Sequence, residues 1–240
     1  MMRRSHALQI AALAAALLAA APAARATIYV SAGTTLRGSS VAAGTVVNHG
    51  TLLGEAARRM EFGPETRVSG SGRFQHTLMH GVFAPGNSPG VTTGTNQAFG
   101  STATVEIELG GLTPGFGAGN HDQINDTATI WLFGGPTLAV LPFGGFLPAP
   151  GDQFQVITWQ TGLDGSFGTM TVDPFFTAGG IMFDQVITNP TGAGHLTLVA
   201  VAIPELGACW FAAVGMLSIA GKYVVRRLVL SKDVANPDSA

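Results

Sequence analysis

The stretch Thr104-Val105-Glu106-Ile107-Glu108-Leu109 decides the fold class. Val105, Ile107 and Leu109 fall on one side of an extended chain, and Thr104, Glu106 and Glu108 fall on the other. That period of two is the mark of a half-buried β-strand. Working outward, the same kind of short apolar run recurs at 27–30, 128–133, 137–141, 153–159, 167–172, 181–187 and 195–202, with Gly and Pro between runs. No long helical periodicity interrupts them; the best helical candidate is Glu55 to Phe62, about two turns. The expectation for residues 27–203 is an all-β domain: a sandwich, a barrel or a solenoid.

A weak echo favours the solenoid. Asn48-His49-Gly50-Thr51-Leu52 returns as Met79-His80-Gly81-Val82-Phe83, with Ser71-Gly72-Arg73-Phe74 between them. Stacked coils would place each apolar residue in a shared core and Gly at the corners. On that reading His49 and His80 occupy equivalent turns and stack as a ladder. Chance likeness in a chain of 33 glycines is the alternative. The segment Phe83-Ala-Pro-Gly-Asn-Ser-Pro-Gly90 reads as consecutive turns, with Pro85 and Pro89 fixing φ, Gly86 and Gly90 permitting positive φ, and Asn87 capping. It has neither the helix nor the lysine of a phosphate-binding loop.

The ends differ from the middle. Residues 1–26 carry Arg3 and Arg4, an apolar run from Leu8 to Ala21, and Ala24-Arg25-Ala26. This is the order of a secretory signal peptide, with cleavage expected after Ala26 and small residues Ala24 and Ala26 at the site. The run is too short to span a bilayer; an uncleaved anchor is the alternative. At the other end, residues 206–225 hold one charge, Lys222, and would reach about 30 Å as a helix, the thickness of the hydrocarbon core. Lys222, Arg226 and Arg227 form a basic flank that the positive-inside rule places in the cytoplasm, leaving 27–203 outside. A buried helix of a globular core is the alternative reading.

Pro204-Glu205, an apolar span and Arg226-Arg227 resemble the PEP-CTERM sorting signal of exported bacterial proteins, with Leu206 where the family has a second proline and 13 residues, 228–240, after the arginines. The resemblance implies an exosortase as partner, Pro204 and Glu205 as the sorting motif, and four segments: signal peptide 1–26, β-rich domain 27–203, anchor 204–227 and a short cytoplasmic tail 228–240. Residues 44–170, through the Ala-Pro-Gly-Asn-Ser-Pro-Gly turn and the Gly-Asp-Gln-Phe of 151–154, resemble autotransporter-associated β-strand segments of bacterial surface proteins. That resemblance implies a right-handed β-helix or β-roll continued by antiparallel strands, with a structural or adhesive role and no catalytic residues.

Charge is sparse, at 11% of residues, and the net charge is −2, which excludes a nucleic-acid binder working through bulk positive charge. One cysteine excludes an intrachain disulfide framework. Within 27–203 the cations are Arg37, Arg58, Arg59, Arg67 and Arg73, and none follows. Glu106, Glu108, Asp122, Asp126, Asp152, Asp164, Asp173 and Asp184 follow instead. This acidic half disfavours an anionic polysaccharide.

Three constellations invite chemistry. Asn120, Asp122, Asn125 and Asp126 are calcium-type ligands, but without the EF-hand spacing; turn capping is their expected role. Glu106 and Glu108 lie about 6.6 Å apart along one strand face, a separation compatible with an inverting glycosidase; a solvated face is the plainer reading. His49, His80, His121 and His195 have no metal-ligand spacing, and Ser88 is not in a nucleophile elbow. The sequence thus predicts no catalytic residue, metal or cofactor. The expected protein is an exported, membrane-anchored surface or matrix protein with extracellular polysaccharide as partner. A β-helix carbohydrate-active enzyme, lyase or glycosidase, is the alternative, and a soluble lectin-like module is a third.

Overall fold

The computed structural model describes residues 26–204, apart from Ser39 and Asn87. Its strands follow one another as rising coils. The first coil holds β1 (Thr27–Val30) and β2 (Thr35–Arg37), the second β3 (Ser40–Asn48) and β4 (Thr51–Leu53), and the third β5 (Met60–Gly70) and β6 (Arg73–Gln75). The fourth holds β7 (Thr77–Met79), β8 (Val82–Pro85) and β9 (Val91–Thr95). The fifth holds β10 (Ala98–Phe99), β11 (Thr104–Leu109), the excursion β12 (Thr113–Pro114) and β13 (Asn120–His121), then β14 (Gln123–Asp126). The sixth holds β15 (Thr129–Leu132), β16 (Thr137–Pro142) and β17 (Gln153–Trp159). The last begins with β18 (Gly162–Gly165) and β19 (Thr169–Val172), passes through a short helix α1 (Pro174–Ala178), and ends in β20 (Ile181–Thr188) and β21 (Gly194–Ala202).

Two curled sheets result, of 13 and 8 strands. Along most of the stack the pairing is parallel. One residue column runs Thr27, Thr45, Arg67, Val82, Thr104, Thr137, Thr169. The neighbouring column is Ile28, Val46, Val68, Phe83, Val105, Leu138, Met170, apolar from end to end. Parallel pairing keeps residue on residue in register, so an apolar position in one coil must meet apolar positions above and below. Val46, Val68, Phe83, Val105 and Leu138 are fully buried, while Ile28 and Met170, at the two ends, are only partly covered. Inside the stack Phe74, Phe83 and Phe99 run as a ring chain, with centroids 5.1 and 5.5 Å apart. The final strands close one end differently: β21 pairs antiparallel to β17, and β20 antiparallel to β21.

The expected strands are present, and Gln153–Trp159 coincides with β17. The helical expectation at Glu55–Phe62 is corrected. Glu55 and Arg58 close a tight turn by exchanging backbone hydrogen bonds of 3.0 Å, and Met60 begins an 11-residue strand. Two helical turns cannot nucleate alone in water, whereas Met60 and Phe62 alternate with exposed Glu61 and bury against the core. Among the described residues the helix that forms is Pro174–Ala178, started by Pro174 at its first position and by Asp173, whose Oδ1 accepts the N–H of Phe175 at 2.9 Å. Its Phe176 is fully buried against Phe183.

The histidine ladder is also corrected. Gly50 and Gly72 do share a corner: the N–H of Arg73 donates to Gly50 O, and Thr51 pairs with Arg73. His80 and Gly81 belong to the other sheet, where Val82 pairs with Arg67 and Thr104. His49 Nδ1 meets Ser71 Oγ at 3.2 Å, and the carbonyl of His80 accepts Thr102 Oγ1 at 2.8 Å. The two histidines occupy different corners.

Among the described residues no helix is long and apolar enough to cross a membrane. The 206–225 span lies outside the described residues, as do Ala24, Glu205, Lys222, Arg226 and Arg227.

Candidate functional site

The oxygen-rich segment 120–126 resolves into separate structural duties. Asp122 is 1% exposed. Its Oδ1 accepts Gly90 N at 2.6 Å and its Oδ2 accepts Glu108 N at 2.8 Å. Burial pushes its pKa up to about 8, the two backbone donors opposing that rise and the nearby Glu108 and Glu106 adding to it. Asp126, equally buried, accepts Asn96 N, Gln97 N and Ala128 N at 3.1, 3.0 and 2.7 Å. Its pKa is raised by burial, against the pull of those donors and of Arg59. Asn120 bonds to Phe116 O and Thr113 Oγ1, and Asn125 to Thr158 Oγ1. The four side chains point to four sets of partners. Among the described residues no three His, Cys, Asp or Glu groups are placed to hold a metal ion.

Glu106 and Glu108 do share a face of β11, and the coil stack brings Arg67 to them from β5. Arg67 Nη1 and Nη2 grip the two oxygens of Glu106 at 3.1 and 2.6 Å. This bond raises the guanidinium pKa. Glu108 Oε1 accepts Ser88 Oγ at 3.2 Å, and its pKa is raised by partial burial first, with Ser88 pulling the other way. The two carboxyls therefore have different surroundings: Glu106 faces a cation and Glu108 a hydroxyl.

A third place was not visible as a site in the sequence. At the first-coil end of the stack, Arg37, Gly38, Leu53, Gly54, Glu55 and Arg58 line an open cleft of about 300 Å³. Arg37 ends β2 and pairs with Leu53 of β4, which fixes one wall. The Glu55–Arg58 turn fixes the other. The adjacent Arg59 turns inward, donating to Asn96 O at 2.6 Å and lying 5.7 Å over the Trp131 ring. Burial lowers its pKa, with Asp126 opposing. Arg58 is left facing solvent. The only signal in the sequence was the Arg58-Arg59 doublet, and nothing local tells which arginine turns in.

Of the expected site residues, Pro204 is exposed just after β21, whose last tie is Ile203 N to Gly180 O at 2.8 Å. Ala26 lies immediately before β1, and its carbonyl accepts Thr45 N at 3.0 Å.

No family model matches the chain, and no curated protein matches it either.

Proposed function

We propose that this is an exported, membrane-anchored bacterial surface or matrix protein, sorted by an exosortase or held by its own C-terminal helix, whose β-solenoid domain has a structural or adhesive role. The observation that carries the reading is the use made of Asp122 and Asp126. The residues with the most chemical potential are buried, and their oxygens accept backbone N–H groups from Gly90, Asn96, Gln97, Glu108 and Ala128. Polar groups invested in joining coils make a stiff rod, suited to presenting a surface. The ends agree: β1 begins at Thr27, directly after the expected cleavage site, and β21 finishes two residues before Pro204. Extracellular polysaccharide is the partner, and the membrane the support. Expression of the full chain in a bacterial host, membrane fractionation and intact mass of the mature protein test this. A mature chain starting at Thr27 in the membrane fraction is expected; an uncleaved cytosolic chain refutes it.

A second reading, a tethered glycosidase, draws on the unequal surroundings of Glu106 and Glu108, since two neighbouring carboxyls, one raised by burial and the other bonded to an arginine, resemble the pairs such enzymes use. Turnover of a glycan panel that vanishes in both Glu106→Gln and Glu108→Gln would establish it.

A further inference from the structure

We infer that the cleft between Arg37 and Arg58 is a binding site for the carboxylate groups of an acidic polysaccharide. This rests on the surface-display reading above and gives it a ligand class. Arg67 is bonded to Glu106, and Arg59 to Asn96 and Trp131. Arg37 and Arg58 have no side-chain acceptor among the described residues, yet both are held in place by backbone pairing. A guanidinium presents a planar fork matched to a carboxylate, and these two forks, without a side-chain acceptor among the described residues, stand on backbone that pairing holds in place.

Two guanidiniums and the Glu55 carboxylate suit a unit that carries one negative charge and several hydroxyls, the latter donating to Glu55. A phosphodiester backbone carries the same charge per unit but lacks the free ring hydroxyls that would donate to Glu55. The volume is at the lower limit for small-ligand pockets, enough for a sugar unit or two of a longer chain passing through an open cleft.

The protein as a whole is acidic, but residues 27–73, which build the cleft end of the stack, hold five arginines, Arg37, Arg58, Arg59, Arg67 and Arg73, against Glu55, Glu61 and Glu65. A polyanion at the cleft therefore meets a local excess of positive charge.

The test is titration of the detergent-solubilised full chain with an oligogalacturonate, its methyl ester and a single-stranded oligonucleotide, by calorimetry. The oligogalacturonate is expected to bind, more weakly as salt rises, and the ester not to bind. Arg37→Gln and Arg58→Gln should each raise Kd by roughly tenfold. Arg73→Gln, an exposed arginine outside the cleft, should change it less than about twofold. Unchanged melting temperatures confirm that the variants fold. Absence of binding, equal binding of the ester, tighter binding of the oligonucleotide, or equal loss in Arg73→Gln overturns the inference. Fractionation of the same chain fails independently if the export reading is at fault.

Discussion

Asp122 accepts the backbone N–H of Gly90 at 2.6 Å, across 32 residues of chain. Its other oxygen holds Glu108 N at 2.8 Å. One side chain thereby fastens the turn after β8 to strand β11. Asp122→Ala leaves two N–H groups without their acceptor. The expected loss is about 2–6 kcal/mol, taking about 1–3 for each of the two unsatisfied donors. Denaturant unfolding measures it, and a loss below about 1 kcal/mol would show that the clamp is dispensable.

The same residue sets a pH dependence. Its folded pKa is about 8, against an ordinary value of 3.8. Between those values the folded state keeps a proton that the unfolded chain has released. The stability contributed by Asp122 is complete below its ordinary pKa and is lost as pH rises to about 8. Asp126 and Glu108, both raised by burial, act with the same sign. His121, lowered by burial, acts oppositely and costs stability as pH falls below its ordinary 6.5. The melting temperature of wild type minus that of Asp122→Asn should therefore be greater at about pH 5 than at about pH 8.5. A difference that grows with pH would reverse the assignment.

Gln97 is fully buried, and neither its Oε1 nor its Nε2 has a hydrogen-bond partner, while its backbone N–H donates to Asp126 and its carbonyl accepts Trp131 N–H. An apolar side chain of similar shape removes the unsatisfied groups. Gln97→Met should stabilise the fold by about 1 kcal/mol, read as a higher denaturation midpoint at unchanged slope. Destabilisation would mean that the amide is satisfied in solution.

Gly70 has φ +108°, and a β-carbon there would lie 2.1 Å from Asn48 O. Asn48 is itself buried, its Nδ2 donating to Arg73 O and its Oδ1 accepting Gly50 N. Gly70→Ala should cost more than about 2 kcal/mol, through strain and displacement of this corner. Gly117→Ala carries similar strain with open space around it, and should cost less in the same thermal melts.

Arg67 and Glu106 are an exposed pair, the arginine side chain half accessible. A double-mutant cycle with Arg67→Gln and Glu106→Gln should give a coupling of about 0.5–1 kcal/mol that shrinks in high salt. A coupling of several kcal/mol would place the pair in a far drier setting.

The amino-acid sequence by itself determined that this domain is β. Strands such as Thr104–Leu109 and Gln153–Trp159 announce themselves because alternation of apolar and polar residues is a local property of an extended chain. It also carried the asymmetry of charge and the turn chemistry. It did not reveal the stacking period. Successive members of one column, Thr27, Thr45, Arg67, Val82, Thr104, Thr137 and Thr169, lie 18, 22, 15, 22, 33 and 32 residues apart. Corners and excursions such as β12–β13 vary in length at little cost, because they lie outside the ladder. The match of Asn48–Leu52 with Met79–Phe83 was therefore a likeness of two different corners, the first joining the two sheets and the second lying within the larger one. Tertiary structure alone decided which of Arg58 and Arg59 faces inward, that Arg67 finds Glu106, and that the aspartates of 122–126 serve the backbone. Each depends on which coil lands above which, and parallel stacking fixes that only once every coil is in register.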